Sequence, residues 1–505
     1  MINLSLNAWL LTVLGGFVGY AIYGLVWRLY FSPIAHFPGP RIAAATLLYE
    51  LYYEMVAGGQ YTFRIRDMHE EYGPIIRINP WELHINDPEY YEEVYAGSSR
   101  RTEKWPYTVG LFGNPESTIA TVPHELHRRR RMPMNRLFSK TSIAKLEPLI
   151  QSTVDKLVAR LRTFQQSSEV VPMHLAWACA TADIISTYAF GQNSNYVETA
   201  PAFRCGLYET IRSTTKAAQA MKQISWILPL VKMIPLGVVK LLDRNIFSIL
   251  VFQNLKEDQQ MRAYIQTIVD ESSDARKSDS YRTIFHEILA SDMPASETRV
   301  DRLTQEGVIL LGAGMETTAW ALSVITYHVL ANPAIHAKLQ AELDGAFLRS
   351  GGKPSLSQLE QLPYLSAVIS EGLRLSYGVS QHLPRVSPDQ DLLYGAWRIP
   401  AGTPVSMTSV LLHLNPTTFP APTTFDPERF VADPHLSRYL VNFTKGSRVC
   451  IGINLAYAEL FLCVANVFGL FPGMKLVDTT IHDVEIKADL VVPQSSGRGV
   501  RVAMA

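Results

Sequence analysis

Cysteine is scarce in this chain of 505 residues: only Cys179, Cys205, Cys450 and Cys463 occur, and no two form a C-x-x-C pair. That excludes a zinc ribbon, a C-x-x-C redox motif and a ferredoxin-type cluster, and it does not fit a secreted disulfide scaffold. Net charge is also missing, since 46 Lys and Arg balance 46 Asp and Glu. Without a global positive field, a nucleic-acid binder is disfavoured. No Walker A sequence occurs and no G-x-G-x-x-G opens a strand–helix–strand unit, so redox chemistry here has to draw on a nicotinamide or flavin held elsewhere. Internal repeats, low-complexity tracts and any Pro/Gly/Ser-rich linker after Arg41 are absent too. With 47% apolar and 18% charged residues, the chain supports one large buried core and is not disordered.

Charge is absent from one stretch altogether, Met1 to Trp27. Residues 8–27 are apolar and span roughly 30 Å as a helix, the thickness of a bilayer core. Trp9, Tyr23, Trp27 and Tyr30 suit the two interfaces. A cleaved signal peptide is the alternative, but no basic residue precedes the run and no A-x-A site closes it. The expectation is a short lumenal N-terminus over 1–7, a membrane helix over 8–27 and a linker over 28–44. A soluble body then fills 45–505. Arg28, Arg41, Arg64 and Arg66 place that body on the cytosolic side, giving a single-pass protein of the endoplasmic reticulum membrane. Pro33, Pro38 and Pro40 predict a stiff, extended linker. Of two sequons, Asn3 lies on the lumenal side as a candidate glycosylation site; Asn442, on the cytosolic side, is expected to stay unmodified.

The body reads as mainly α with small β-sheets. Ile75–Asn79 and Trp81–Ile85 form a candidate strand pair, and Asp87 caps a helix with Pro88 in its first turn. Helical patterns dominate from about Pro123 to Ser350, including a long apolar helix from Asp301 to about Leu330. Strand patterns return between Arg385 and Ser409 and near the C-terminus.

A lone cysteine is usually a small buried hydrophobe. Cys450 has unusual surroundings: Gly446 and Gly452 bracket it, Arg448 precedes it, and an apolar helix from Leu455 to Phe471 follows. A helix N-terminus favours a thiolate nearby. Phe443, Gly446, Arg448, Cys450 and Gly452 make up F-x-x-G-x-R-x-C-x-G, which resembles the haem-binding loop of cytochromes P450. The resemblance extends from about Pro38 to the C-terminus. It implies a P450 fold behind the N-terminal membrane helix, haem b as cofactor, Cys450 as the thiolate ligand of iron, and O2 as co-substrate. Electrons would come from NADPH through a separate cytochrome P450 reductase, with cytochrome b5 as an optional second donor.

The same resemblance assigns further residues. His127 and Arg131 share a helix face and match a haem-carboxylate motif in which His127 replaces a Trp; Arg385 and Arg448 match other carboxylate-binding arginines. Most of Arg128 to Arg131 is expected to be solvated, a candidate dock for the reductase. The segment Gly312 to Leu322 resembles the oxygen-binding helix, with Thr317 and Glu316 as the alcohol and acid that deliver protons to a dry pocket. Read without that resemblance, Gly312 and Gly314 merely permit close packing and Glu316 reaches solvent. Glu371, Arg374 and Arg429 match a structural ion-pair triad. Substrate contacts would come from Tyr107–Thr121, Leu207–Leu236, Ile309–Thr317, Tyr377–Leu383 and Gln494–Gly499, with Phe112, Val308 and Val379 as examples and Trp226–Val231 either dipping into lipid or packing in the core. The texture around HRRRR and IGINLA resembles fungal secondary-metabolism enzymes of the trichodiene-oxygenase-like group, implying a small apolar terpenoid or polyketide as substrate. Rival readings are a haem-thiolate isomerase or dehydratase that needs no O2, a haem sensor without turnover, and a tethered structural protein.

Overall fold

The computed structural model describes residues 6–97, 100–223, 259–270 and 283–504. Asn3 and the Trp226–Val231 segment lie outside the described residues. The helices that matter here are α1 (Leu6–Val26), α2 (Tyr61–Tyr72), α3 (His124–Asn135), α4 (Glu147–Ser167), α5 (Met173–Phe190), α6 (Gly206–Gln223), α7 (Val300–Ala331), α8 (Pro333–Arg349), α9 (Pro363–Ser376) and α10 (Ile453–Leu470).

Among the described residues, three helices, α7, α10 and the one over Trp9–Phe31, have the length and apolarity to cross a membrane. Burial separates them. More than half of the apolar window is inside the protein in α7 and α10, and none of it is in the N-terminal helix. An apolar surface of that length with no protein cover is stable only against lipid, so α1 and its continuation are the candidate span. The segment after it is not an extended spacer. Ile34 and Phe37 are buried, Phe37 stacks on Trp397 at 4.9 Å between ring centroids, and the Arg77 N–H donates to the Pro38 carbonyl (2.7 Å). The prolines forbid helix, but the apolar side chains between them find a site on the body, and burial wins over extension. Arg77, itself buried, donates to the Arg28 carbonyl (2.8 Å) and joins the base of the anchor to the body.

Four small sheets flank the helices. Strands β1 (Ile75–Arg77), β2 (Leu83–Ile85), β3 (Glu103–Lys104), β4 (Val170–Pro172), β5 (Arg385–Val386), β6 (Leu392–Tyr394), β7 (Trp397–Ile399), β8 (Pro404–Ser406), β9 (Lys475–Leu476), β10 (Ala488–Leu490), β11 (Val492–Gln494) and β12 (Arg501–Ala503) are all short. The largest sheet has the order β1-β2-β8-β5-β3, antiparallel except between β2 and β8. The expected pair around Asn79-Pro80 is present, with Ile75 opposite Ile85. It is shorter than the sequence suggests because the Asn79 carboxamide accepts from the Trp81 and Glu82 N–H groups (3.0 and 2.9 Å) and turns the chain early. The Asp87 cap is also found, its carboxylate accepting from the Glu89 N–H (3.0 Å).

The core is α5 lying against α7, with α4, α8, α9 and α10 around them. On α9, Glu371 and Arg374 are fully buried and paired twice at 2.7 Å, and Arg429 Nε donates to the same carboxylate at 3.2 Å. Arg374 also donates to the carbonyls of His413, Pro422 and Thr424 (2.9, 2.5 and 3.0 Å), so both charges are fully coordinated. His413 Nδ1 lies 2.9 Å from the Arg374 carbonyl, and its Nε2 accepts from the Val441 N–H (2.9 Å). Burial first, then Arg374, pushes His413 down to about 3, so the ring is neutral and these partners define its tautomer. The ion-pair triad is thereby tied to the start of the Cys450 loop. Asn442 donates to the Leu373 carbonyl, and that contact engages the amide nitrogen a glycan would need. Replacement Arg374→Ala strands the Glu371 charge in the core and is expected to cost about 3–5 kcal/mol, read as a large drop in melting temperature.

Candidate functional site

Cys450 follows a turn at Gly446–Arg448 and precedes α10. Its N–H donates to the Phe443 carbonyl (2.8 Å), closing the loop, and Phe443 packs its ring 5.5 Å from Tyr457. Gly446 adopts φ +75°, and a Cβ there would enter the carbonyl oxygens of Tyr95 and Ala96. Only glycine fits. Gly452 differs: its φ is −83°, and a Cβ would meet only the Cys450 Sγ at 3.9 Å. The tight-turn requirement thus belongs to Gly446 alone, while Gly452 leaves room beside the sulfur.

Cys450 is enclosed by protein, yet its surface is accessible. Ala313, at the middle of the buried helix α7, is accessible as well. Accessible residues at the heart of a core line an internal space. The Thr317 hydroxyl, one turn from Ala313, donates to the Ala313 carbonyl (2.9 Å) and lies on the same face. Burial pushes the Cys450 thiol up, while the Gly452 N–H and Arg131 pull it down; burial dominates in the bare protein. Metal coordination would reverse this, because the ion's own charge holds a coordinating thiol deprotonated.

The cations gather nearby. Arg448 is buried and donates to the Thr121 and Val122 carbonyls (2.6 and 2.7 Å), which leaves its Nε without a partner among the described residues. Burial, then Arg385, depresses it to about 9. Arg385 is buried with its guanidinium 5.0 Å from the Tyr95 ring centroid. Burial, then Arg448, Lys104 and Arg131, pushes His127 down to about 2. Lys104, which sequence reasoning missed, is buried, donates to the Ile119 carbonyl, and is held well below its usual value by burial, Arg385 and Arg448. Basic groups that depress one another in a buried cluster call for an anion, and an orphaned guanidinium nitrogen supplies a donor for it. The two carboxylates of haem fit. Arg131 is placed differently: it donates to the Val449 carbonyl (2.5 Å) and to Asn135 (3.0 Å), bracing the loop under Cys450. Most of the four-arginine run was expected in solvent, but only Arg128 and Arg129 are exposed. Arg130 is buried, donates to Thr121 (2.8 Å), and forms a two-point ion pair (2.6 and 3.0 Å) with Glu297, a partner 167 residues away that no local pattern reveals.

Glu316 and Thr317 are parted by the helix. Glu316 is buried on the face of Ala319, Trp320 and Ser323, where it lines a cavity of about 460 Å³ with Tyr208 and Arg212. It does not reach solvent. Burial raises its carboxyl to about 7 against a partial pull from Arg212. Gly314 serves packing, since a Cβ would stand 2.7 Å from Ile185 on α5; Gly312 has no such neighbour, its Cβ meeting only Ile211 at 3.9 Å. A second cavity of about 290 Å³ is lined by Phe112 and Leu383 among others; Val308 and Val379 are half-buried and line neither.

A family model described as Cytochrome P450 matches residues 39–498. The chain is 43% identical over 506 aligned residues to Cytochrome P450 monooxygenase MO6277 of Ascocoryne sarcoides, covering 97% of this chain and 98% of that one. It is 41% identical to N-acetyltryptophan 6-hydroxylase ivoC of Emericella nidulans, covering 96% and 95%. In structure it is similar to the retinoic acid-bound cyanobacterial CYP120A1, with a TM-score of 0.67, 20% identity, and coverage of 87% and 93%.

The two glycines of the loop should separate in a melting experiment. Gly446→Ala is expected to lose more than about 2 kcal/mol through its positive φ and backbone clash. Gly452→Ala is expected to melt as the parent does.

Proposed function

Because the chain belongs to the cytochrome P450 family and is a haem-dependent monooxygenase, we propose that Cys450 is its iron ligand and that it oxidises a small molecule of fungal secondary metabolism at the face of α7 carrying Ala313 and Thr317. The observation that carries this is the accessible Cys450 sulfur inside the fold, in a loop closed by Phe443 and Gly446 and flanked by the buried cations Lys104 and Arg448. The bound haem supplies the chemistry by which one oxygen atom of O2 enters the substrate and the other leaves as water. Lys104, Arg385 and Arg448 hold the carboxylates of the group, His127 fills space beside them as a neutral ring, and Arg131 positions the loop.

The protons come from the other side of α7. Glu316 keeps its proton below about pH 7 in the 460 Å³ cavity. Thr317 presents its hydroxyl on the reaction face, where it donates to the Ala313 carbonyl (2.9 Å), and a proton passing from Glu316 to that face would need water to carry it round the helix. Loss of the Glu316 proton as pH rises through about 7 is expected to slow turnover. Glu316→Gln, which cannot titrate, is expected to be slow throughout and to lack that limb in a kcat profile.

The N-terminal helix anchors the enzyme in the endoplasmic reticulum with residues 45–505 facing the cytosol, and electrons reach it from NADPH through a reductase. The exposed Arg128 and Arg129 suit that partner's dock. A terpenoid or polyketide intermediate fits the largely apolar walls; the name of the N-acetyltryptophan 6-hydroxylase relative favours, as a second reading, an acylated aromatic amino acid. Reduced, carbon-monoxide-treated protein is expected to show the red-shifted Soret band of thiolate ligation, and Cys450→Ser to lose it. Product formation without NADPH and reductase would instead favour an isomerase.

A further inference from the structure

The 290 Å³ cavity is lined by the apolar Leu111, Phe112 and Leu383 and by the cationic Lys104 and Arg385. Lys222, Gln381 and His382 line it too. These three side chains, and Gln219 behind them, are at most 2% exposed. Polar groups that deep normally exhaust their hydrogen bonds.

Here they do not. Lys222 Nζ is spent on Glu50 (2.8 Å) and Glu54 (3.4 Å). Gln381 Nε2 donates to Glu54 Oε1 (3.2 Å) and Gln219 Oε1 (3.1 Å). Among the described residues, four atoms in this cluster are left without partners: Gln381 Oε1, Gln219 Nε2, His382 Nδ1 and Glu54 Oε2. One is an acceptor, one a donor, and the other two take either role with protonation or tautomer.

The charges nevertheless close. Burial raises the Glu50 carboxyl, but Lys222 and His382 outweigh it and hold the group ionised opposite Lys222. Burial lifts Glu54 and Glu82 to about 8 and pushes His382 down to about 3, so all three are neutral near pH 7. A carboxylate would find no spare cation in this cluster, and a bare hydrocarbon would leave four polar atoms dry.

We infer that Gln381, His382 and Gln219 anchor one neutral donor–acceptor group, a hydroxyl or carboxamide, on an otherwise apolar substrate. This rests on the monooxygenase reading and names the substrate class of that same site. The polar anchor holds one end of the molecule, and the apolar side chains of Leu111, Phe112 and Leu383 cover part of the rest.

The holoenzyme is titrated with decane, 1-decanol, decanamide and decanoate. Binding is followed both by the Soret shift and by the rise in melting temperature that any native-state ligand produces. The alcohol and amide are expected to bind about tenfold or more tighter than decane, the gain from pairing buried polar atoms. Gln381→Leu is expected to reduce that preference to within about twofold. Because Gln381 also braces Glu54, His382→Phe serves as the second variant: it breaks neither of the Gln381 bonds and is expected to lose part of the preference. Decane binding as tightly as decanol would show that water alone satisfies the cluster, and decanoate binding tightest would make it an anion site. Either result overturns the proposal. The carbon-monoxide spectrum of the parent tests Cys450 separately, and the melting shifts rank the four ligands whatever that spectrum shows.

Discussion

Helix α7 is apolar and packed for most of its length, so an accessible residue at its middle needs a cause. Ala313 is accessible there, and so is the sulfur of Cys450 in an otherwise buried loop. A core close-packed like an organic crystal does not leave such faces open unless something else fills them. On the proposed reading, the flat group held by this family would fill the space, and the rest of the molecule supports its rim. The triad at Glu371, through Arg374 and a neutral His413, holds Val441 where the loop begins. Phe443 and Gly446 shape its turn, and Arg131 ties down its end.

The same space explains an electrostatic oddity. Lys104, Arg385 and Arg448 are buried together, and burial and then Arg385 depress both Lys104 and Arg448, although burying like charges is costly. Two carboxylates arriving with the cofactor convert that cost into attraction. Holding the cofactor and folding the rim are therefore linked, and the bare protein should be less stable than the loaded one.

On the other side of α7 the chemistry is divided by helical geometry. Neighbouring residues on a helix point about 100° apart. Thr317 therefore shares a face with Ala313, and Glu316 faces Arg212 and Tyr208. Adjacent in sequence, the two meet different surroundings: Thr317 lies beside the accessible Ala313, and Glu316 lines a cavity with polar walls. The substrate side follows a similar logic: an apolar wall carries most of the surface and a small buried polar cluster sets orientation.

Much of this was legible in the chain itself, because the informative residues are close in sequence. The ten-residue Cys450 motif, the Glu371/Arg374 pair three apart, the apolar run before Trp27 and the Asp87-Pro88 cap are local patterns whose physics acts over one or two turns. Local pattern could not show that Phe37 leaves its proline-rich segment to stack on Trp397, that Arg130 is claimed by Glu297, or that Lys104 joins Arg385 and Arg448. Nor could it show that Gln381, Gln219 and Glu54 meet. Such contacts join residues tens to hundreds of positions apart, and only packing of the whole core decides which of many similar side chains is buried and what it then must bond.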